Sequence, residues 1–519
     1  MPILNEADIH LQEGRVDVAI QIYQEALAAN PAEIDAIKGL ARCAEVLGLG
    51  RQAEEAWLQV HQIDPQDLDG LMRKGLQYQR AGQYSEAIGC FADVVSRAPD
   101  PLDAHRARLQ CLLYSDNSSV AEREAAQRSF RDYYETQRTA PRFFENDADP
   151  NRRLRIGYCS SDFLSHPVGM AVLPMLHFHD RNAVEVYSYA DVPKPDGATA
   201  QLEQLSDHWL NIAGMSDETV ADQMVHDKID ILVVLAGHMD RNRIFITKTH
   251  PAPIQVLHHG QCSSFIGDYD YFIGDEIITP RGGLEQFSER VLRLPCWTVQ
   301  AFPAEAADVS SPPFKRNGYI TFGSFNNPIK LNDTTLSLWT RILRDVPDSR
   351  LSLKYYDFYG MPEVRDRVVG FFEASGIEAS RLLLKPDTEA RAGHLSNYGQ
   401  VDIALDPTPF NGATTTFEAL LMGVPVVCLL GEQLLARSAA SLITMAGYSN
   451  LVGRNPDEYV SLATALAGDR KSLAKARREM RQKIKQSPLF DARRYSRNIE
   501  RFYRAMWRRW CSMKPVLSQ

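Results

Sequence analysis

VDIALDPTPFNGATTTFEALLMGVPVVCLLGE, residues 401–432, reads as a strand, a turn, a helix and a second strand. PTPFNG has the composition of a turn, and Gly423 and Pro425 mark the end of the helix that follows it. Thr414 or Thr415 is expected to cap this helix, since threonine is a favoured capping residue. A helix that begins at the carboxyl end of a strand offers backbone amides and the positive end of its dipole to a phosphate group. The stretch therefore predicts an anion site in an α/β protein.

A purely structural alternative exists for the same helix start. Thr415 and Glu418 lie three residues apart, which is the spacing of a capping box. In a capping box both side chains satisfy backbone amides, so neither is needed for a ligand. A threonine hydroxyl and a first-turn carboxylate also suit a phosphate and a ribose, and both interpretations stay open at this point.

Strand-like and helix-like segments alternate over residues 153–487. The strand-like runs form two groups, LRIGYCSS through YDYFIGD and GYITFGSF through VPVVCLL, separated near SSPPFKRNG. This rhythm predicts an α/β architecture of two Rossmann-like domains, residues 153–312 and 313–487, each a parallel sheet covered by helices. Ligands of such folds bind beyond the carboxyl ends of the strands, so we expect the two domains to face one cleft.

The beginning of the chain repeats itself every 34 residues. The recurring positions hold a small residue, an aromatic residue and a proline: Ala19, Ala53 and Ala87; Tyr23, Trp57 and Phe91; Pro31, Pro65 and Pro99. This period is typical of tetratricopeptide repeats, each a pair of helices. We expect an all-α solenoid over residues 1–115 whose groove holds a protein or peptide acceptor, with a dimerising or purely structural arm as the alternative. Residues 116–152 are expected to form a linker helix and loop.

Overall charge and cysteine usage exclude several classes of protein. The net charge of −9 argues against nucleic acid or an anionic membrane as the main partner, because both need a basic footprint. The eight cysteines are scattered without metal-ligand spacing, as in a reduced cytoplasmic protein. The apolar runs are shorter than the about 20 residues that cross a bilayer, and the opening MPILNEADIH lacks the features of a signal peptide. We therefore expect a cytoplasmic protein with no nucleic-acid partner and no stable membrane insertion.

FGSFNNPIKLND, residues 322–333, passes from a strand into a polar loop with a single lysine. Lys330 could neutralise a diphosphate in this loop, a task that a metal ion performs elsewhere. A solvated loop lysine without a ligand is the alternative.

Seven segments, taken in order, resemble the O-linked N-acetylglucosaminyltransferases, glycosyltransferase family 41. They are RIGYCSSDFLSHPVG, IDILVVLAGHMDRNR, HPAPIQVLHHGQCSS, FSERVLRLP, FGSFNNPIKL, DPTPFNGATTTFEALLMGVPVV and GEQLLARSAAS. The resemblance includes the bacterial and SPINDLY-type members, which carry tetratricopeptide repeats. It implies a GT-B fold of two Rossmann-like domains behind the repeat arm. It also implies a UDP-sugar as co-substrate and inversion at the anomeric carbon without a metal or other cofactor.

The resemblance assigns roles to residues on the donor side. It places Asn327 and Lys330 in contact with the nucleotide-sugar, with Lys330 at the diphosphate, where the lysine also serves catalysis. His394 falls near the histidine that stacks on uracil. Thr414 and Thr415 fall at the phosphates.

Further roles come from the same resemblance. His166, in SHPVG, falls where a histidine faces the acceptor as a candidate catalytic base, and His238 falls where a second cleft loop approaches the sugar. Glu418 replaces the aspartate usually placed on the ribose. Ala413 and Met239 replace a histidine and a threonine of the family pattern, so the identity of the sugar stays open, with GlcNAc as the default.

Three short motifs carry residues of the types that bind metals. Asp268 and Asp270 form the DxD sequence that metal-dependent glycosyltransferases use to hold a nucleotide-bound cation, but here they compete with a lysine for that task. The pairs His258–His259 and His177–His179 have no acid or thiol partner at ligand spacing. We therefore expect no metal site.

The expected reaction is an inverting, metal-independent transfer of a sugar from a UDP-sugar to Ser or Thr hydroxyls of a protein acceptor. An asparagine-directed protein hexosyltransferase of the same family and a catalytically inactive tetratricopeptide adaptor that binds nucleotide are the alternatives, and a homo-oligomer is left open. Residues 488–519 contain a basic amphipathic helix. We expect this helix to pack back on the catalytic domains rather than on a membrane.

Overall fold

The computed structural model describes residues 2–139, 142, 144–239, 241–303, 305–386 and 389–513. It divides into two compact units, residues 1–118 and 119–519. The described part of the first unit is a series of helices in which each helix packs on the next. These helices are α1 Pro2–Gln12, α2 Val16–Ala29, α3 Ile34–Val46, α4 Gly50–Ile63, α5 Leu68–Arg80, α6 Tyr84–Arg97 and α7 Leu102–Tyr114.

The repeated aromatic residues explain how these helices pack. Tyr23 and Phe91 are fully buried in the first and third repeats. A Cβ atom added to Gly39 would clash with the Tyr23 ring, and one added to Gly75 would lie 2.6 Å from the Phe91 ring. Glycine is therefore required on the facing helices, because only glycine lets the two backbones approach this closely. The predicted tetratricopeptide arm is confirmed.

The second unit begins with helix α8, Val120–Gln137, and continues into a seven-stranded sheet. All strands of the sheet are parallel, in the order β3-β2-β1-β4-β5-β6-β7. The elements are β1 Leu154–Ser160, α9 Pro167–His177, β2 Val184–Ala190, α10 Gly197–Gln204, β3 His208–Asn211, α11 Asp217–His226, β4 Ile231–Leu235, β5 Ile254–His258, β6 Tyr271–Asp275 and β7 Arg290–Leu294.

A second parallel sheet follows, in the order β10-β9-β8-β11-β12-β13. Its elements are α12 Phe314–Asn317, β8 Thr321–Ser324, α13 Asp333–Asp345, β9 Arg350–Lys354, α14 Pro362–Ala374, β10 Leu382–Lys385, α15 Arg391–Asn397, β11 Ile403–Leu405, α16 Thr414–Leu421, β12 Val426–Leu429, α17 Ser438–Met445, β13 Val452–Gly453, α18 Pro456–Gly468 and α19 Arg470–Lys485. The predicted pair of Rossmann-like domains is confirmed.

Both sheets reverse their strand order at one point, between β1 and β4 in the first and between β8 and β11 in the second. Loops that leave neighbouring strands in opposite directions open a crevice at such a point, and ligands of open α/β sheets bind there. His166 follows β1 and Lys330 follows β8, so each of the two predicted catalytic residues lies in a loop at a switch point.

Helix α20, Ala492–Met513, returns to the first sheet and completes its core. Tyr503 and Trp507 are fully buried there, and the Tyr503 hydroxyl lies 3.1 Å from that of Tyr158 on β1. The apolar face of this helix is thus covered by protein. Residues 514–519 of the predicted terminal segment lie outside the described residues.

Two hydrogen bonds, one buried and one partly buried, join the domains that contain the two sheets. The Ser441 hydroxyl on α17 donates to Asp275 Oδ2, at the end of β6, over 2.6 Å. The backbone N–H of Leu434 donates to Glu285 Oε2, also over 2.6 Å. In the part of the chain that the structure describes, no helix has the length and apolar character needed to cross a membrane.

Candidate active site

Lys330 closes a 3₁₀ turn, Pro328–Lys330, directly after β8. Its Nζ donates to the carbonyl oxygen of Asn411 at 2.9 Å and lies 4.2 Å from the centre of the Phe410 ring. Burial lowers the pKa of Lys330 to about 8, and the negative charge of Asp406 partly offsets this effect. The alternative of a freely solvated loop lysine is therefore wrong, because packing and hydrogen bonds fix the ammonium group in the crevice of the second sheet.

Asn326 connects this lysine to helix α16. Its Oδ1 accepts a hydrogen bond from the Thr415 hydroxyl at 3.0 Å and lies 3.4 Å from Lys330 Nζ. Asn327, which the resemblance places on the donor, accepts from the N–H of Ile329 at 3.0 Å and caps the 3₁₀ turn. Asn326 was not among the residues predicted from the sequence, although the adjacent pair of asparagines at a strand end was the available signal.

Helix α16 begins without a side-chain cap. Its N-cap residue is Ala413, and the predicted capping by Thr414 or Thr415 is wrong. The capping box with Glu418 is also absent, because the Thr415 hydroxyl turns to Asn326 in the neighbouring loop. The helix start therefore keeps its dipole and first-turn amides beside Lys330, with no side chain of the described residues capping them.

Glu418 and His394 form a buried contact at the other side of α16. Nε2 of His394 lies 2.9 Å from Oε2 of Glu418, which is 5% exposed. The Tyr398 hydroxyl also donates to this carboxylate at 3.5 Å, and the Arg391 guanidinium lies 3.9 Å from Oε1. The carboxylate thus holds the orientation of the histidine ring, whose centre lies 6.0 Å from that of Phe325.

Asp406 is a second residue that the sequence analysis did not assign. It directly follows β11 and is 2% exposed. Its Oδ1 accepts from the N–H of Gly412 at 2.9 Å and from the Thr416 hydroxyl at 3.2 Å. Burial raises the pKa of this carboxyl to about 7, against the opposing effect of Lys330. A Cβ on residue 412 would lie only 2.6 Å from Asp406 Oδ1, so glycine is needed where the loop closes over the carboxylate.

His166 is the N-cap residue of α9, on the first sheet. Its backbone is extended, as expected before Pro167, and its Nδ1 accepts from the N–H of Val168 at 3.3 Å. A neutral imidazole that accepts through Nδ1 carries its hydrogen on Nε2. In this arrangement His166 presents a hydrogen-bond donor at Nε2. If the hydrogen were on Nδ1 instead, Nδ1 would be the donor and would face Asp162 Oδ2, 3.6 Å away.

A buried polar network supports the His166 loop at the switch point. Asn242 Nδ2 donates to Asp162 Oδ2 at 2.8 Å, and Asn242 Oδ1 accepts from the Ser160 hydroxyl at 2.9 Å. Asp162 and Asn242 are 4% and 0% exposed. The network joins the loops that follow β1 and β4. Neither residue was predicted from the sequence, because the members of this network come together only when β1 and β4 pair.

His238 is buried in the loop that follows β4. It is 8% exposed, and its Nε2 donates to the carbonyl oxygen of Ser264 at 3.2 Å. Its ring packs edge to face against Phe130 of α8, with centres 4.7 Å apart. The structure therefore places His238 between α8 and the 263–265 loop.

The DxD residues lie away from the crevices, in the segment before β6. Asp268 accepts hydrogen bonds from the Tyr134 hydroxyl at 2.5 Å and from Arg138 at 2.7 Å, which fastens α8 to the first sheet. Asp270 accepts from the backbone N–H of Gln255 at 2.8 Å. Because the strands are parallel, the start of β6 is at the edge opposite to the ligand edge.

His258 and His179, one member of each histidine pair, are packed within the first domain, whereas His177 is exposed. His258 is fully buried and bonds through Nε2 to the Tyr495 hydroxyl at 3.0 Å, and burial lowers its pKa to about 4. His179 lies 2.8 Å from Glu500. Over the described ranges, no group of three or more His, Cys, Asp or Glu side chains is arranged to hold a metal ion.

Comparison with known proteins gives a consistent result. The sequence profile described as "Glycosyl transferase family 41" matches residues 96–299 and 315–499, and a tetratricopeptide-repeat profile matches residues 10–74. A solved structure of an O-GlcNAc transferase mutant from Thermobaculum terrenum superposes with a TM-score of 0.89 and 30% identity, and the match covers 99% of this chain and 98% of that chain.

Plant proteins are also similar in sequence. A protein named "Probable UDP-N-acetylglucosamine--peptide N-acetylglucosaminyltransferase SPINDLY" from Petunia hybrida is 35% identical over 427 residues, and the one from Solanum lycopersicum is 36% identical over 427 residues. Each match covers 80% of this chain and 45% of the relative, so the chain spans about half the length of these relatives.

Two parallel sheets with polar clusters at both switch points, preceded in the chain by a tetratricopeptide arm, define the GT-B class of glycosyltransferase fold. The family profile covers most of the chain. The chain belongs to glycosyltransferase family 41.

Proposed function

We propose that this chain is a protein glycosyltransferase that moves a sugar, GlcNAc by default, from a UDP-sugar to Ser or Thr hydroxyls of a protein acceptor. The observation that carries the proposal is the cluster of Lys330, Asn326 and Thr415 at the uncapped start of α16. This cluster combines a cation, a hydroxyl and a helix N-terminus at a switch point, which is the chemistry that a diphosphate requires. The similarity to the O-GlcNAc transferase structure supports the choice of donor.

The leaving group of this reaction is a nucleoside diphosphate, and its developing charge must be stabilised. Lys330 and the first-turn amides of α16 supply that stabilisation without a metal ion in the proposed mechanism. Thr414 and Thr415 contact the phosphates, and His394, oriented by Glu418, contacts the base. Because the cation is a side chain already fixed by Asn411 and Phe410, little reorganisation is needed when charge develops.

The acceptor hydroxyl attacks from the side of the first sheet, which gives inversion at the anomeric carbon. His166 stands at the corresponding switch point and holds the acceptor through Nε2. With this tautomer the histidine donates rather than accepts, so the α-phosphate of the donor is the proposed base. Alignment of the acceptor oxygen supplies the remaining rate enhancement.

The tetratricopeptide arm is assigned to binding the protein acceptor, since stacks of such repeats form extended binding surfaces. We place the reaction in the cytoplasm, a location that the eight free cysteines suit because they indicate a reducing compartment.

The proposal is tested by incubating the purified chain with UDP-GlcNAc, UDP-glucose and other nucleotide-sugars, each with a cell lysate as source of acceptors. Mass spectrometry of the products identifies the added sugar and the modified side chain. A GlcNAc-sized increment on Ser or Thr is the expected result. A hexose on Asn would indicate the asparagine-directed alternative, and UDP binding without any product would indicate the inactive adaptor.

A further inference from the structure

The peptide group that joins Asn411 to Gly412 lies between two charged side chains. Lys330 Nζ donates to its carbonyl oxygen at 2.9 Å, and Asp406 Oδ1 accepts from its N–H at 2.9 Å. This peptide is trans, so its C=O and N–H point in opposite directions. The ammonium and the carboxylate therefore hold one peptide group from opposite sides. Each charge meets the end of the peptide dipole that has the opposite sign.

The carboxylate of Asp406 is deeply buried and incompletely bonded. Gly412 and the Thr416 hydroxyl donate to Oδ1, whereas Oδ2 has no hydrogen-bond partner among the residues that the structure describes. A small cavity of about 10 Å³, lined by Asn326, Asp406 and Thr415 among others, adjoins it. Burial of such a carboxylate is costly unless an opposite charge compensates it. Lys330 is the cation that acts on it.

The other ionisable groups near Asp406 stay uncharged. The Cys428 thiol on β12 and the Tyr459 hydroxyl on α18 both have a pKa raised well above the usual value, chiefly by burial. Tyr459 donates to the backbone carbonyl of Asp406 at 3.0 Å. Around Lys330 the contacts are an amide oxygen, a carbonyl oxygen and the Phe410 ring. Among the neighbouring groups named here, Lys330 and Asp406 are therefore the two whose charges change near neutral pH.

We propose that Asp406 is a positioning residue: it keeps Lys330 charged, and fixed on the 411–412 peptide, before the diphosphate of a nucleotide-sugar arrives. This inference rests on the proposed function of Lys330. Without the carboxylate, burial would lower the pKa of Lys330 further below about 8, and the neutral amine would bind a diphosphate poorly. Asp406 therefore aids binding at alkaline pH, whereas at acidic pH its carboxyl group is largely protonated and has little effect on binding.

The test is UDP binding to the full chain, measured by calorimetry at intervals from about pH 6 to about pH 9. In the near-isosteric variant Asp406→Asn we expect the alkaline loss of affinity to begin at lower pH. The variant should bind UDP at least as tightly as the unchanged chain at about pH 6 and roughly tenfold more weakly at about pH 8.5, which corresponds to a fall of about one pKa unit in Lys330. Parallel curves for the two proteins would overturn the inference.

Asp402 provides a matched control, because it is also a buried aspartate but lies at the opposite end of β11. Its oxygens accept from the backbone N–H groups of Phe314 and Thr321. Asp402→Asn is expected to leave the pH dependence of UDP binding parallel to that of the unchanged chain. If Asp402→Asn shifts the pH dependence of UDP binding as much as Asp406→Asn does, the shift comes from a general effect on the fold of removing a buried aspartate. That result would overturn the inference.

Two further changes at Lys330 distinguish failure of this inference from failure of the proposed function of Lys330. Lys330→Arg carries a guanidinium that stays charged throughout the pH range, so adding Asp406→Asn to it should introduce no alkaline loss. An alkaline loss in that double variant would overturn the inference. If Lys330→Met binds UDP as tightly as the unchanged chain, the proposed function of Lys330 itself fails.

A milder change covers the case in which Asp406→Asn does not fold. Thr416→Val removes one of the two donors to Oδ1, which favours the neutral carboxyl group. The UDP-binding curve should shift in the same direction as for Asp406→Asn, by a smaller amount. A curve parallel to that of the unchanged chain would overturn the inference.

Discussion

Nε2 of His394 and Oε2 of Glu418 lie 2.9 Å apart across the surface between α15 and α16. The carboxylate is 5% exposed, so the histidine ring is held by a group that solvent barely screens. A hydrogen bond to a charged group of this kind contributes about 1.5–3 kcal/mol. The orientation of the ring therefore depends on Glu418 as well as on the neighbouring rings of Tyr398 and Phe325.

Glu418→Ala is expected to weaken UDP binding by roughly tenfold or more, because the histidine ring loses the partner that holds it. Calorimetric titration with UDP measures the effect. Glu418→Gln, which keeps an acceptor oxygen for His394, is the matched variant and should lose less. Equal affinities for all three proteins would show that His394 takes no part in nucleotide binding.

Lys330→Ala should lower the rate of sugar transfer by roughly 10²–10³-fold, the usual cost of removing one group that stabilises the leaving charge. Steady-state kinetics with UDP-GlcNAc and a protein acceptor provides the measurement. The control is Lys315→Ala on α12, an exposed lysine of the same domain, which should behave as the unchanged chain. Full activity of Lys330→Ala would contradict the proposed mechanism.

Excess EDTA should leave the transfer rate unchanged if, as proposed, a lysine supplies the positive charge at the diphosphate. Asp268→Asn should likewise retain the rate but lower the unfolding temperature, because Asp268 bonds to Tyr134 and Arg138 of α8. The expected loss of stability is about 1–3 kcal/mol, as for other buried polar groups left without a partner. Loss of activity in EDTA that manganese restores would instead make Asp268 and Asp270 metal ligands.

His166→Ala should lower the transfer rate by up to about tenfold, the effect of one hydrogen bond of about 0.5–1.5 kcal/mol. Affinity for UDP should stay constant, because His166 stands on the first sheet and the nucleotide cluster on the second. His166→Gln keeps an N–H donor and should retain more activity than the alanine variant. A loss of about 10²–10⁴-fold in both variants would make the histidine a general base.

Asp196→Ala should reduce the free energy of unfolding by about 1 kcal/mol, the usual cost of a lost helix cap. Asp196 caps α10 through Oδ1 and accepts from the N–H of Ser165, beside His166, through Oδ2. Burial alone would raise its pKa, but the hydrogen bonds from Thr199 and Ser165 outweigh burial and lower the pKa to about 2.

Because the pKa of Asp196 is lowered in the folded state, its contribution to stability is present above the unfolded value of about 3.9. That contribution is lost as the pH falls toward about 2. Thermal melts of both proteins at several pH values therefore provide the check, and their stabilities should converge in acid. A difference that persists unchanged in acid would exclude the charge of Asp196 as its cause.

Regular patterns made the architecture predictable from the sequence. The repeat period and the alternation of strands and helices depend on short stretches of chain, and the structure confirmed both. The position of the helix start at the ligand edge was also predictable, because a strand followed directly by a helix places a helix N-terminus there.

The partners of individual side chains were not predictable in the same way. Thr415 was expected to cap its own helix, but its hydroxyl bonds to Asn326, which is 89 residues away in the chain. Asn242 and Asp162 meet across 80 residues. The local sequence favours Thr415 as a helix cap. Asn326 can compete for the Thr415 hydroxyl only after the strands have paired, so the local sequence does not reveal it.

Helix α20 has a consequence for the order in which the protein folds during synthesis. Tyr158 and Tyr503, which meet in the first core, are 345 residues apart in the chain. The second sheet needs no segment from so far away, since one of its core clusters lies between Phe314 and Ala474 and the other between Ile277 and Phe490. Domains usually fold in the order in which the ribosome releases them. Here the first sheet keeps an exposed apolar face until residues 492–513 emerge from the ribosome. The second domain can therefore fold first, and until then the first domain remains a substrate for chaperones.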